Sequence, residues 1–198
     1  MEEKRTTELE KENRCLRERI GSLERELMQC RLRLEDLSRK ADLDYLTGVL
    51  NREGICRLIG RCLEEDEGKD GALCFLDLDN FKQINDQFGH SCGDEALCAI
   101  AGTLQAGLKD RDLVGRFGGD EFLIYMREVM GQEDILERAE AICERIRRFP
   151  LTIPLTASVG IACYPQHGRR FQELLDRADA ALYQSKCGGK DKISIYIL

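Results

Sequence analysis

The chain lacks the excess of positive charge that a nucleic-acid binder shows: 30 Lys and Arg stand against 37 Asp and Glu, a net of -7. Nowhere does it string together the roughly 18 apolar residues needed to cross a bilayer. Its opening residues, MEEKRTTELEKEN, have no apolar core of the kind a secretory signal carries. Histidine is scarce, with only His90 and His167, and no two of the 10 cysteines form a CxxC knuckle. The usual zinc patterns are therefore missing. A secreted disulfide scaffold is smaller and denser in cysteine, so reduced thiols in a cytoplasmic protein are expected, most of them packing as small apolar residues. No internal repeat and no low-complexity stretch is present. Hydrophobic residues make up 42% of the 198, which excludes wholesale disorder and leaves enough chain to bury a core.

What is present is split in two. Residues 1–40 contain 11 basic and 10 acidic side chains and no proline, whereas the remaining 158 residues contain 19 basic and 27 acidic, a net of -8. In the head, apolar positions step by three and four. Leu9, Leu16, Leu23, Cys30 and Leu37 occupy heptad position d, and Asn13, Ile20, Leu27 and Leu34 occupy a. Leucine at d with a single asparagine at a favours a parallel two-stranded coiled coil. The g-to-e′ pairs of such a dimer, Arg5–Glu10, Glu12–Arg17, Arg19–Glu24 and Glu26–Arg31, are all opposite in sign. A single helix docked on the body has no reason to alternate charge in that way. The expected organisation is a dimeric coiled coil over residues 1–41 and a globular domain over 42–198. Cys30 at d would face its twin across the dimer axis, where an interchain disulfide is open to test.

In the body, helical and strand patterns alternate. A turn at LDYLTGVLNR leads into a helix through about Leu63, and ALCFLDLD (72–79) reads as a buried strand. FKQINDQF and DEALCAIAGTLQAGL are helical, with GHSCG as the joint between them. DLVGRF and EFLIYM form a hairpin around Gly118 and Gly119. A helix follows over about 132–148, then strand LTASVGIACY, helix FQELLDRADAALYQSK and a closing strand KISIYIL. The expected fold is α/β (α+β), a central, mostly antiparallel sheet flanked by helices and preceded by the long head helix. Asp77 and Asp79 fall on one face at the end of the apolar strand, and Asp120 and Glu121 follow the Gly-Gly turn. Carboxylates so placed suit Mg²⁺, which takes one or two of them and leaves its other positions to water and phosphate oxygens. Either cluster alone is more simply a set of solvated turn acids. With Lys82, Lys186 and Lys190 as phosphate partners, the pattern suggests metal-assisted phosphoryl or nucleotidyl transfer, without naming the reaction.

The run Arg116-Phe117-Gly118-Gly119-Asp120-Glu121-Phe122 resembles the signature of the GGDEF family, the diguanylate cyclases. Other segments resemble that family's remaining elements in order: Asp44-Tyr45-Leu46-Thr47 through Asn51-Arg52, Asp77-Leu78-Asp79-Asn80-Phe81-Lys82 through Asn85-Asp86, and Gly89-His90 with Gly93-Asp94. Ser158-Val159-Gly160-Ile161-Ala162 and Ala178-Asp179 through Lys186 and Lys190 complete the set. The resemblance implies a nucleotidyl-cyclase, ferredoxin-like palm. It also implies a homodimer that condenses two GTP into cyclic di-GMP with release of two pyrophosphates, as a source of bacterial second messenger. It further implies two Mg²⁺ (or Mn²⁺) ions per half-site, held by Asp77, Asp120 and the backbone carbonyl of Leu78. By the same resemblance, Glu121 assists deprotonation of the attacking hydroxyl or holds the second metal. Asn85 and Asp94 read guanine, His90 lies in the same substrate-facing segment, and Lys82, Lys186 and Lys190 meet phosphate. A carboxylate can accept from guanine N1–H and the 2-amino group, neither of which adenine offers there.

Read from the residues alone, His90 is more simply a capping or core histidine, and Asn85 and Asp86 can simply end a helix. Asp79 is expected to support the site rather than to hold metal. Phe81, Phe88 and Phe122 are expected in the core, and Cys92 and Cys98 to pack. Relatives often carry R-x-x-D upstream of the signature as a product-inhibition site; here the stretch is Lys109-Asp110-Arg111-Asp112. Lysine cannot make arginine's planar bidentate contacts, so weak or absent inhibition is expected. A catalytically dead nucleotide receptor and a purely structural dimerisation module are the competing readings, and the retained acids speak against both. No membrane segment and no nucleic-acid partner are expected; the sensor that acts upstream is unknown.

Overall fold

The computed structural model describes residues 16–33 (apart from 18 and 32), 41–65, 69–149 and 155–197. The chain divides into two units, Met1–Ala41 and Asp42–Leu198. In the first, the described residues between 16 and 33 are helical and form α1. Leu16, Ile20, Leu23 and Leu27 recur along it at steps of three and four, each about half exposed. Ser22 donates to Glu26 one turn on at 3.3 Å. The heptad positions at Leu9, Asn13, Leu34 and Leu37 lie outside the described residues.

The second unit runs α2 (Arg52–Glu65), β1 (Gly71–Asp79), α3 (Phe81–Phe88), α4 (His90–Gly107), β2 (Leu113–Arg116), β3 (Glu121–Arg127), α5 (Gln132–Arg147), β4 (Thr156–Tyr164), α6 (Phe171–Cys187) and β5 (Ile193–Ile195). Its five strands lie in the order β2-β3-β1-β4-β5. All neighbours are antiparallel except β4 and β5, which α6 joins as a crossover. The sheet is thus mixed α/β and mostly antiparallel. β1 occupies the centre because its unbroken apolar run needs cover on both faces. Alternate residues supply the two faces. Ala72, Cys74, Leu76 and Leu78 face one core with Ile100 and Leu104 of α4 and Ile135 and Ile142 of α5. Leu73 and Phe75 face a second core with Ile55 and Ile59 of α2 and Leu174, Ala178 and Leu182 of α6.

Two glycines permit close packing. A Cβ on Gly160 would come within 2.1 Å of both the Ala178 carbonyl and the Leu182 amide, so α6 crosses β4 where a side chain is missing. A Cβ on Gly115 would meet Ile55 at 2.6 Å.

The expected joint GHSCG is narrower than its composition suggests. Only Gly89 (φ 83) breaks the chain, and His90 through Gly93 already belong to α4. A single left-handed residue is enough to turn one helix into the next, so the polar stretch after it is free to coil. Two other expectations shift. Phe88 is 40% exposed at the end of α3 and is not core, whereas Phe81 and Phe122 are. The cysteines divide: Cys62, Cys74 and Cys143 are buried, while Cys98 is exposed and donates to the Leu46 carbonyl at 3.2 Å. Burial pushes the Cys143 thiol up to about 12 and that of Cys74 up as well, so both are inert packing groups. His167, 2% exposed, accepts the Cys163 amide on Nδ1 at 3.0 Å and stacks edge-on with Tyr196.

Candidate functional site

The site forms where β1 ends and the β2–β3 hairpin turns. Antiparallel register places Asp77 directly opposite Glu121, and the Leu78 amide donates to the Asp120 carbonyl at 3.2 Å. Two acidic clusters separated by more than forty residues of sequence therefore meet at one sheet end. Burial and then their proximity raise the carboxyls of Asp77 and Glu121 above the usual range. Burial pushes the Asp77 carboxyl up, the Lys186 ammonium beside it pulls it back, and Asp120 and Asp79 push it up again. Glu121 is raised first by burial and then by Asp77. Lys186, from the last turn of α6, pairs with Asp77 at 2.7 Å.

A cleft of about 350 Å³ opens beside these acids. Lys82 and Asn85 of α3, His90 and Asp94 of α4, and Asp120 of the hairpin all line it. The residues expected to meet guanine, phosphate and metal thus converge, although they come from different elements. Lys190 stands apart from that lining; its ammonium donates to the Asn80 side chain at 2.7 Å. A larger cleft of about 430 Å³ lies at the opposite end of β1, near Gly71 and His167, with no comparable cluster of charge. Size alone would point to the wrong end of the sheet.

Glycine has a steric reason at two places here. In α4, a Cβ on Gly93 would sit 1.9 Å from the Asn85 side-chain oxygen and 3.2 Å from Phe81. The absence of a side chain at 93 is what lets Asn85 point into the cleft. A Cβ on Gly118 would fall 2.5 Å from a Glu121 carboxylate oxygen, which folds back over it. Gly119 differs: a Cβ there would meet nothing within 4 Å and project into open space beside the cleft.

Arg116, the first residue of the signature run, has a structural role that its sequence position does not reveal. Its guanidinium donates to the Gly119 carbonyl at 2.8 and 3.0 Å and to Asp44 at 3.3 Å. Asp44 also accepts the Thr47 amide and hydroxyl at 2.9 and 2.6 Å. The first motif of the body is in this way tied to the hairpin that carries Asp120. Arg52, from the same motif, lies over the Phe117 ring at 4.4 Å.

The Lys109–Asp112 corner sits elsewhere. The Asp112 side chain is 1% exposed, accepting the Lys109 amide at 2.8 Å, the Arg127 amide at 2.9 Å and the guanidinium of Arg138. Lys109 points outward to Asp134 at 3.9 Å. The four-residue pattern at 109–112 shows a lysine in place of arginine but gives no sign of Arg138, because α5 delivers it from 26 residues further on.

For a divalent cation, the donor chemistry fits. Asp77, Asp120 and Glu121 are hard oxygen donors whose mutual repulsion a cation would relieve. Among the described residues no three His, Cys, Asp or Glu side chains are grouped so as to hold a metal ion by themselves.

Comparison with known proteins is consistent with this geometry. The family model described as "Diguanylate cyclase, GGDEF domain" matches residues 41–192. Diguanylate cyclase DgcP of Pseudomonas aeruginosa is 33% identical over 91% of this chain and 28% of its own length. Cyclic di-GMP phosphodiesterase NbdA of the same organism is 36% identical over 90% of the chain and 23% of its own length. The chain thus spans about a quarter of these curated relatives. Among solved structures, the coiled coil and GGDEF domain of DgcB from Caulobacter crescentus, in complex with c-di-GMP, superposes with a TM-score of 0.77 at 27% identity. That match covers 91% of this chain and 98% of the other. Diguanylate cyclase SiaD of Pseudomonas aeruginosa, in complex with its activator SiaC, gives 0.75 at 30% identity, covering 96% of this chain and 75% of that one.

Proposed function

Since the chain belongs to the GGDEF family of diguanylate cyclase domains, we propose that residues 42–198 condense two GTP into cyclic di-GMP. The 3′-oxygen of each GTP bonds to the α-phosphorus of the other, the bond to pyrophosphate breaks, and each hydroxyl proton passes to a base. The observation that carries this reading is convergence. Lys82, Asn85, His90, Asp94 and Asp120 line one cleft, beside Asp77 and Glu121.

Asp94 and Asn85 select guanine. Lys82, Lys186 and Lys190 act on phosphate as point charges. Asp77, Asp120 and the Leu78 carbonyl hold Mg²⁺ or Mn²⁺, two per half-site, which when bound neutralises charge on the α-phosphate. Glu121, its carboxyl raised by burial, takes the proton of the attacking hydroxyl or holds the second metal. Lys186 pairs with Asp77 until substrate arrives and then turns to the triphosphate.

Because each protomer carries one such site, two must face each other. The half-exposed Leu16, Ile20, Leu23 and Leu27 of α1 support a parallel coiled coil as the device that pairs them. Cys30, exposed on α1, lies on the same d seam. No described helix is long and apolar enough to cross a membrane, and a cytoplasmic site of action fits a GTP substrate. A receptor that binds without turnover is disfavoured by the retained acids.

The test is direct: incubate the protein with GTP and Mg²⁺ and separate the nucleotides. Cyclic di-GMP should form, and Asp120→Ala should abolish it while leaving the oligomeric state intact. A folded dimer that makes no cyclic dinucleotide refutes the proposal.

A further inference from the structure

Four non-glycine residues among those described adopt left-handed backbone: Asn80 (φ 58), Glu128 (φ 52), Lys190 (φ 64) and Asp191 (φ 48). Three of them lie close to Asp79: Asn80 follows it in the chain and accepts the Lys190 ammonium at 2.7 Å, and the Asp191 amide donates to the Asp79 carboxylate at 2.9 Å. Such conformations cost energy and persist where the surroundings over-determine them, typically at functional sites. Asp79 holds one of them directly, through the Asp191 amide. It is 3% exposed, at the very end of β1. One oxygen accepts the Ser158 hydroxyl at 2.8 Å; the other accepts the Thr156 hydroxyl at 2.7 Å and the Asp191 amide at 2.9 Å.

The Asp191 carboxylate is held in turn by Arg147 at the end of α5, at 2.9 and 3.1 Å. The Lys190 amide donates back to the Ser185 carbonyl at 3.2 Å. The segment between α6 and β5 is therefore pinned on both sides of Lys190, and its main inward tether is a buried carboxylate on the strand that also carries Asp77.

We infer that Asp79 is a positioning residue: by accepting the Asp191 amide it presets the backbone from which Lys190 reaches the triphosphate, and so couples the metal-holding strand to the phosphate-binding loop. This rests on the proposed role of Lys190. The geometry explains why an acid that touches neither cleft nor cation is buried beside two others. The Asp191 amide is a fixed backbone donor, and the buried Asp79 carboxylate satisfies it where the turn now stands. With the loop preset, Lys190 loses little entropy to ordering when it leaves Asn80 for phosphate.

The experiment compares GTP kinetics, and binding of a non-reacting GTP analogue by calorimetry, in five variants of the full chain. Lys190→Ala should raise KM and analogue Kd about tenfold, the effect expected when one charge-assisted hydrogen bond is removed from ground and transition state alike. Asp79→Ala should do the same with kcat held within about twofold, as expected for a loss of uniform binding. Asp79→Asn should restore both constants, because its amide oxygen still accepts from Asp191 and its amide nitrogen can donate to Ser158. Arg147→Met, which frees the other side of the turn without touching the buried cluster, should raise KM in the same direction and keeps the inference testable if Asp79→Ala does not fold. The Asp79→Ala/Lys190→Ala double variant should be no worse than either single one.

Additive losses in the double variant, or a folded Asp79→Ala with unchanged KM beside a Lys190→Ala that is impaired, overturn the inference and leave the role of Lys190 standing. An unimpaired Lys190→Ala overturns both.

Discussion

Gly93→Ala separates stability from recognition. Within a helix, replacing glycine by alanine ordinarily stabilises by up to about 1 kcal/mol, and Gly93 lies in the first turn of α4. Here the new methyl would lie 1.9 Å from the Asn85 oxygen, 3.0 Å from its side-chain carbon and 3.2 Å from the edge of Phe81. The backbone of α4 has no cause to move, because the obstructing atom is the end of a side chain that can rotate. Asn85 is half-buried and gives way. The clash and the gain in propensity nearly cancel, so the unfolding free energy should change by no more than about 1 kcal/mol. Recognition should not recover so easily. If Asn85 reads guanine, turning it away removes its bond and leaves the base partner unpaired, a loss of about 1–3 kcal/mol. That corresponds to roughly a 5- to 150-fold fall in kcat/KM for GTP. Calorimetric melting and steady-state kinetics on the same preparation measure both quantities. Asn85→Ala should be comparably impaired, and Gly93→Ala should add nothing to it. A Gly93→Ala enzyme with unchanged kcat/KM, or one whose loss multiplies that of Asn85→Ala, refutes the reasoning.

Other expectations follow from neighbouring contacts. Lys186→Met removes the cation that pairs with Asp77 at 2.7 Å; Mn²⁺ binding without nucleotide, followed by electron paramagnetic resonance, should tighten by about tenfold or more while the KM for GTP rises, since a charge-assisted bond contributes about 1.5–3 kcal/mol. Unchanged Mn²⁺ affinity would show that the pair does not compete with metal. Micromolar cyclic di-GMP should inhibit weakly, because the carboxylate of Asp112 is 1% exposed and already accepts from two amides and Arg138; potent non-competitive inhibition would contradict that. His167 is held below its usual value by burial and then by Arg177. The unfolded chain therefore takes up its proton first, and the stability His167 contributes is whole above about pH 6.5 and declines as pH falls from there toward its lowered value. Melting temperatures between pH 8 and 5 should show a slope that His167→Gln flattens; an identical slope in the variant would assign the pH dependence to other groups.

Much of the molecule is legible in its residues because their patterns are local. The apolar run 72–76 reads as a strand covered on both faces, and the acids at its end and after Gly118-Gly119 stand where strands and turns stop. Phe88 is not legible in this way, because Phe81, Phe88 and Phe122 differ in burial only through their neighbours. Nor is the extent of the joint at Gly89, because a polar, glycine-bearing stretch reads as loop, whereas one left-handed residue suffices.

Periodicity and turn chemistry act within a few residues, so the strands and helices, the two acidic clusters and the heptad pattern of the head are dictated by the chain's own order. Which of those pieces meet is set by tertiary packing. It puts Asp77 opposite Glu121 through antiparallel register, brings Arg138 to Asp112 beside a lysine that replaces arginine, and leaves the space at Gly93 open for Asn85. It also gives Asp79 its partners, Thr156, Ser158 and Asp191, more than seventy residues away in the chain. Such contacts depend on how sheet and helices close over one another, and no window of sequence contains both sides of them.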